Sequence, residues 1–173
     1  YYTGSGAAGT AIGSATSPDG IHWTRFAVNP VLAAGPAGTW DDTAVSMPWV
    51  RYDGSEYQMW YTGRGDYLAI GYAISSDGQL WTRLGVPVLH PQVLEAITFA
   101  PCVLADGPVR IWYGAMHETT GGRAQPGVID YAQSFDGVDW TGHRTVLGPG
   151  STGVKHGIIG GQPMLPAGHG LDA

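Results

Sequence analysis

One pattern, Ser-x-Asp-Gly-x-x-Trp, occurs three times and restricts this chain to a repeat architecture. It reads Ser17-Pro18-Asp19-Gly20-Ile21-His22-Trp23, then Ser75-Ser76-Asp77-Gly78-Gln79-Leu80-Trp81, then Ser134-Phe135-Asp136-Gly137-Val138-Asp139-Trp140. The tryptophans stand 58 and 59 positions apart. A period this constant signals one supersecondary unit used repeatedly. Asp-Gly favours a tight turn, because glycine takes positive φ without a steric penalty. Each copy therefore reads as a hairpin, returning through a tryptophan large enough to fill a layer between neighbouring sheets. Asp19, Asp77 and Asp136 are read as turn residues, not catalytic ones.

Four strand-like segments fit each repeat. In the central one they are Thr43–Arg51, Tyr57–Thr62, Leu68–Ile74 and a last strand starting at Leu80-Trp81-Thr82-Arg83, with a turn at Asp53-Gly54. The run Tyr57-Gln58-Met59-Trp60-Tyr61 is aromatic and strand-favouring. The second strand recurs as Tyr1-Tyr2-Thr3-Gly4, Tyr61-Thr62-Gly63 and Trp112-Tyr113-Gly114, aligned here on glycine. The first strand recurs around Pro48, Pro101 and Pro163. Links to the next unit read Asn29-Pro30-Val31-Leu32, Val86-Pro87-Val88-Leu89 and Thr145-Val146-Leu147-Gly148-Pro149.

The expected fold is all-β, a β-propeller of four-stranded antiparallel blades with about three blades' worth of strands. It forms a single partial domain over 1–173, with repeats at about 1–42, 43–95 and 96–156 and a final inner strand at 157–165. Propellers close with about four to eight blades, and exposed strand edges invite pairing. The expectation is thus a homo-oligomer completing the ring, or a piece of a larger propeller.

Composition narrows the partners. Twenty-eight glycines and a single lysine, Lys155, suit short strands and turns. A net charge of −6 without a basic cluster argues against nucleic acid or an anionic membrane surface. No stretch approaches the roughly 20 apolar residues a membrane helix requires. The lone cysteine, Cys102, lies in the apolar run Ala100-Pro101-Cys102-Val103-Leu104 and reads as a packed thiol. The six histidines lack metal-ligand spacing, so neither a metal nor another cofactor is expected. His22, His90, His143 and His169 read as surface or loop positions.

The sharpest functional signal comes from the first strands, which line the channel of a propeller. Six positions before Pro48 is Asp42, and six before Pro101 is Glu95. Carboxylates at equivalent places in adjacent blades would face one channel mouth. Glu95 stands alone among apolar residues in Val93-Leu94-Glu95-Ala96-Ile97, and burying an acid there is costly unless it is used. Asp41 and Asp42 read equally well as a polar turn before a strand.

Trp40-Asp41-Asp42 leading to Met47-Pro48, then Tyr57-Gln58-Met59-Trp60-Tyr61-Thr62-Gly63, and Ile70-Gly71-Tyr72-Ala73 leading to Asp77-Gly78 and Trp81, resemble the repeats of five-bladed propeller glycosidases. These are arabinanases and β-xylosidases (family 43), invertases and levansucrases (families 32 and 68) and mannoside phosphorylases (family 130). The resemblance implies cleavage of an arabinoside, xyloside or fructoside by carboxylate acid/base chemistry. It places Glu95 at the general acid and Asp42, or its neighbour Asp41, at the acid's tuning partner. A nearby carboxylate and partial burial would raise the acid's pKa as its role requires. An inverting enzyme also needs a base roughly 6.5–9.5 Å away. The sequence departs from the pattern here: it offers no third first-strand carboxylate, and Lys155 and His156 stand at the next inner position.

Further substrate contacts are expected from Trp40 and Trp49, by stacking on a sugar ring or else by packing in the core. His117 follows a second strand and could reach the channel. Arg64 and Arg123, with Lys155 and His156, could hold phosphate, as a glycoside phosphorylase requires. The alternative to catalysis is a truncated propeller that binds carbohydrate or serves as an oligomerising scaffold.

Overall fold

A computed structural model describes residues 1–7, 9–91, 97–116 and 127–148. These form an all-β structure of twelve strands without a helix, so no helix among them is long and apolar enough to cross a membrane. The first repeat contributes β1 (Tyr2–Gly6), β2 (Gly9–Gly13), β3 (Ala15–Thr16) and β4 (Thr24–Arg25). The second contributes β5 (Ala44–Tyr52), β6 (Tyr57–Arg64), β7 (Leu68–Ser75) and β8 (Thr82–Arg83). The third contributes β9 (Ile97–Ala105), β10 (Val109–Met116), β11 (Val128–Ser134) and β12 (Thr141–Leu147).

The third unit is a four-stranded antiparallel sheet, β12-β11-β10-β9. The first two units share a six-stranded sheet, β1-β2-β5-β6-β7-β8. A parallel pairing of Thr10 with Ala44 joins β2 to β5 there. The strands thus group by repeat, but they do not divide into three separate blades or close into a ring. Where neighbouring units approach at Thr10, backbone pairing fuses their sheets.

Two apolar layers hold the units together. Ile12 and Leu32 of the first unit pack with Val45, Met59, Tyr61 and Ala73 of the second. Trp60, Ile70 and Tyr72 of the second pack with Val103, Ile111, Ala132 and Trp140 of the third. β6 serves both layers because its side chains alternate: Met59 and Tyr61 face one neighbour, Trp60 the other. The link segments are bound the same way each time. Ile12 pairs with Leu32, Ile70 with Leu89 and Ile129 with Leu147.

β5 and β9, which open the second and third units, are broken at the same place. Met47 and Ala100 have φ of 50° and 52°, each just before a proline, and the ladder register shifts there. A left-handed non-glycine residue is costly, and a proline cannot donate to the ladder. In compensation the freed N–H crosses to the preceding unit: Met47 N–H donates to Thr3 Oγ1 (2.8 Å), Ala100 N–H to Thr62 Oγ1 (2.9 Å). This repeated latch explains the threonine of the second strand. It also corrects the alignment on glycine, since Trp60 sits opposite Trp49 and Trp112 opposite Cys102, one step after each proline. The equivalent residues are therefore Tyr1, Trp60 and Trp112, with Gly114 at the threonine position.

The Ser-x-Asp-Gly-x-x-Trp copies are hairpins, but wider than a two-residue turn: residues 76–81 lie between β7 and β8. The aspartate is the centre of each loop. Asp77 Oδ1 accepts the N–H groups of Gln79 and Leu80 and the hydroxyl of Ser75. Asp19 and Asp136 repeat these contacts. Backbone donors hold the carboxyls of Asp77 and Asp136 below the ordinary carboxylate range, and His22 is the largest such influence on Asp19. A depressed folded-state pKa contributes stability that is present above about pH 4 and lost as pH falls through the folded value. Asn at all three positions keeps an acceptor for the loop and removes that titration. The triple variant is expected to melt at a temperature less dependent on pH between about 4 and 2 than the parent, checked by thermal scans across that range.

Candidate functional site

The site begins in the segment leading into β5. Gly35-Pro36-Ala37-Gly38-Thr39 folds back on itself through Thr39 N–H to Pro36 O (3.1 Å) and Gly35 N–H to Asp41 O (3.0 Å). This turn sends the side chains of Asp41 and Asp42 to different surroundings.

Asp41 is buried, only 2% exposed. It accepts hydrogen bonds from Tyr61 OH (3.0 Å) and Thr39 Oγ1 (3.1 Å), and Arg83 Nε lies 3.2 Å from Oδ2. The Arg83 guanidinium also reaches Ala33 O. Burial, followed by the Asp41 carboxylate, raises the Tyr61 hydroxyl's pKa well above its ordinary value, so the phenol stays a donor. Trp40 stacks on Tyr61, with centroids 5.9 Å apart and planes inclined by 26°. Its ring lies so close to Gly63 and Gly71 that a Cβ at either would come within 3 Å of it. This packing makes Trp40 a wedge against the sheet.

Asp42 is only partly buried. Its Oδ2 accepts Gly38 N–H (2.8 Å) and its Oδ1 the Thr43 hydroxyl (3.2 Å). Gly38 supplies that donor from a left-handed conformation (φ 86°) that glycine adopts freely. Next door, Thr43 N–H donates to Arg64 O (2.9 Å), and Arg64 ends β6 with an exposed side chain. A carboxylate held by two donors and an exposed guanidinium therefore share one rim of the sheet. Trp49 lies deeper, packed against the layer between the second and third units. Glu95, His117, Lys155 and His156 lie outside the described residues, as do Arg123 and the strand at 157–165.

A second polar cluster, in the third unit, was not read from the sequence. Asp130 (5% exposed) stands opposite Tyr113 in the ladder and accepts from Thr145 Oγ1 (2.7 Å). Tyr113 OH lies 3.2 Å from His143 Nδ1, and His143 Nε2 lies 3.1 Å from Trp140 O. The carbonyl can only accept, so Nε2 carries a proton and donates to it. Burial raises the phenol's pKa, and Asp130 adds to it. These groups border a small cavity of about 90 Å³ with Leu89 and Thr98. The available signal was an acid at an inward-facing position of the alternating β11 strand. Among the described residues, no three of His, Cys, Asp and Glu come together as a metal site.

Comparison with solved structures decides the fold. A β-1,2-mannobiose phosphorylase from Listeria innocua superposes with a TM-score of 0.60, at 19% identity, over 83% of this chain and 38% of that one. A family-32 β-fructofuranosidase from Bombyx mori superposes at 0.59, with 13% identity, over 84% and 33%. The chain folds as the five-bladed propeller glycosidases do. No family model matches it. Two uncharacterized proteins of Mycobacterium tuberculosis, MT1551 and Rv1502, are 34% identical over 122 residues, or 64% of this chain and 40% of theirs. The chain thus spans 40% of the length of these curated relatives, and 38% and 33% of the two enzymes above.

Proposed function

We propose that this protein cleaves a glycosidic bond, with Glu95 as general acid and Asp42 as the carboxylate that tunes it. The observation that carries this reading is the division of labour between the two adjacent aspartates. Asp41 is sealed into contacts with Tyr61, Thr39 and Arg83, which leaves Asp42 as the accessible carboxylate at the start of β5. Two donors, Gly38 N–H and the Thr43 hydroxyl, hold the Asp42 carboxyl in place, as a partner positioned beside an acid must be. Substrate classes follow from the propeller glycosidases: arabinosides, xylosides and fructosides, with β-1,2-mannosides added by the Listeria innocua neighbour.

Transfer to phosphate instead of water has its own support. Arg64 is exposed and adjoins Asp42 on the same rim, where a guanidinium suits a doubly charged oxyanion. One experiment separates the two. Purified protein is assayed against aryl glycosides and oligosaccharides of the four classes, with and without inorganic phosphate.

Turnover is expected to fall at least about a hundredfold in D42N and in E95Q, the scale of a lost acid/base function. The folded state of D42N should match the parent in melting temperature. A strict phosphate requirement, lost in R64A, selects the phosphorylase. Glycan binding without turnover, unchanged by E95Q, selects the binding module and refutes catalysis.

A further inference from the structure

The joint between the second and third units departs from the joint before it at one place. The ladders align the two: Tyr61 opposite Gly71 corresponds to Tyr113 opposite Asp130, and Gly63 corresponds to Ala115. In the earlier joint the Trp40 ring covers Gly63 and Gly71, and Tyr61 OH is taken by the buried Asp41. A Cβ at either glycine would come within 3 Å of that ring, so Ala115 and Asp130 leave no seat for an indole placed as Trp40 is. The cavity of about 90 Å³ stands there instead.

This cavity is internal to the joint. Tyr113 and Ala115 belong to the apolar layer shared with the second unit, and Leu89 bounds the cavity from the second unit's own link. Thr98, Tyr113 and Asp130 line it while only 5% exposed, so its polar groups are deep. A buried carboxylate is costly, and the second unit closes its joint with glycine at the same ladder position. Packing therefore does not call for Asp130. It accepts Thr145 Oγ1, and a carboxylate can take several donors at once.

The size and lining restrict the occupant. A six-membered ring enters a cavity of about 150 Å³, so this one admits only a side arm. Leu89 and Ala115 suit a methylene, while Asp130 can accept from a hydroxyl and Thr98 can donate to it. Pro91 and Ile97 also line the cavity, and they flank segment 92–96, which carries Glu95. We propose that the cavity takes the exocyclic hydroxymethyl group of the bound sugar. The protein then selects arabinofuranosides, fructosides and mannosides, which carry that arm, over xylopyranosides, which lack it. This rests on the reading above, in which the sugar is bound at Glu95.

The test is titration calorimetry with four methyl glycosides: α-arabinofuranoside, β-fructofuranoside, β-mannopyranoside and β-xylopyranoside. The proteins are the parent, D130N, which removes the charge, and A115L, which fills the hollow. The parent is expected to bind at least one arm-bearing sugar about tenfold or more tighter than the xyloside, the scale of a hydrogen-bonded hydroxyl. In D130N and A115L that advantage should shrink to about twofold or less, with circular dichroism unchanged. Should A115L fail to fold, D130N carries the test alone. A parent that binds none of the four, or favours the xyloside, overturns the proposal, as does an advantage that survives in D130N. Turnover of the corresponding aryl glycosides is measured beside binding. Selective binding without turnover upholds this inference and removes catalysis; turnover without the selectivity does the reverse.

Discussion

Asp41→Ala is expected to lower unfolding free energy by about 2–4 kcal/mol, a large share of the roughly 5–15 kcal/mol typical of a domain. The loss has three parts. Tyr61 OH is left buried without an acceptor, which costs about 1–3 kcal/mol. Arg83, with a quarter of its side chain exposed, loses its counter-charge yet remains partly desolvated. Thr39 loses one of two acceptors and keeps Pro36 O. Asp41→Asn preserves an acceptor for the phenol and should lose less than the alanine variant. Arg83→Met added to Asp41→Ala removes the orphaned charge and should recover part of the loss. Urea unfolding of the four proteins checks the series. A wild-type midpoint for Asp41→Ala would mean that the buried network contributes nothing.

The same variants bear on function, because Asp41 and Asp42 are adjacent and chemically alike. If the accessible carboxylate is the working one, Asp42→Asn removes turnover at unchanged stability. Asp41→Asn should do the reverse, losing stability while the remaining folded molecules still turn over substrate. Sequence alone could not separate the two residues. The difference lies in the turn at Gly35–Thr39, whose backbone bonds direct one side chain beneath Trp40 and the other towards Gly38.

The strands were legible because their causes are local. Asp-Gly loops, alternating aromatic strands and prolines at fixed offsets each leave a mark within a few residues. The prolines that align the first strands, Pro48 and Pro101, stand at bulges that the sequence reading did not predict, each following a left-handed residue. What escaped was long-range. The hairpin loop is wider than Asp-Gly suggests, because the aspartate gathers donors two and three residues ahead. The glycine alignment of the second strands slipped because Gly114 occupies the threonine position, a substitution visible only through the ladder. The fusion of the first two units through Thr10 and Ala44 rests on one pairing without a sequence signature. Tyr113, Asp130 and His143 likewise meet through strand register, which composition does not report.

Trp60 offers the most severe test of the joint between units. It is fully buried, stands among Tyr72, Val103 and Trp140 in one apolar layer, and donates to Gly137 O. Trp60→Ala is expected to cost about 4–5 kcal/mol, combining a large cavity with a buried carbonyl deprived of its donor. Gly137 cannot move in to help, because it holds φ of 80° and its backbone already touches the indole. Trp60→Phe isolates the hydrogen bond and part of the volume, and should cost about 1–3 kcal/mol. Trp112→Phe is the internal control: it makes the same chemical change where no acceptor stands among the described residues. It should cost clearly less than Trp60→Phe, by denaturant midpoints measured side by side. Equal losses at the two positions would mean that the indole N–H of Trp60 adds nothing to the joint, and that ring volume alone explains the repeat of aromatic residues at this position.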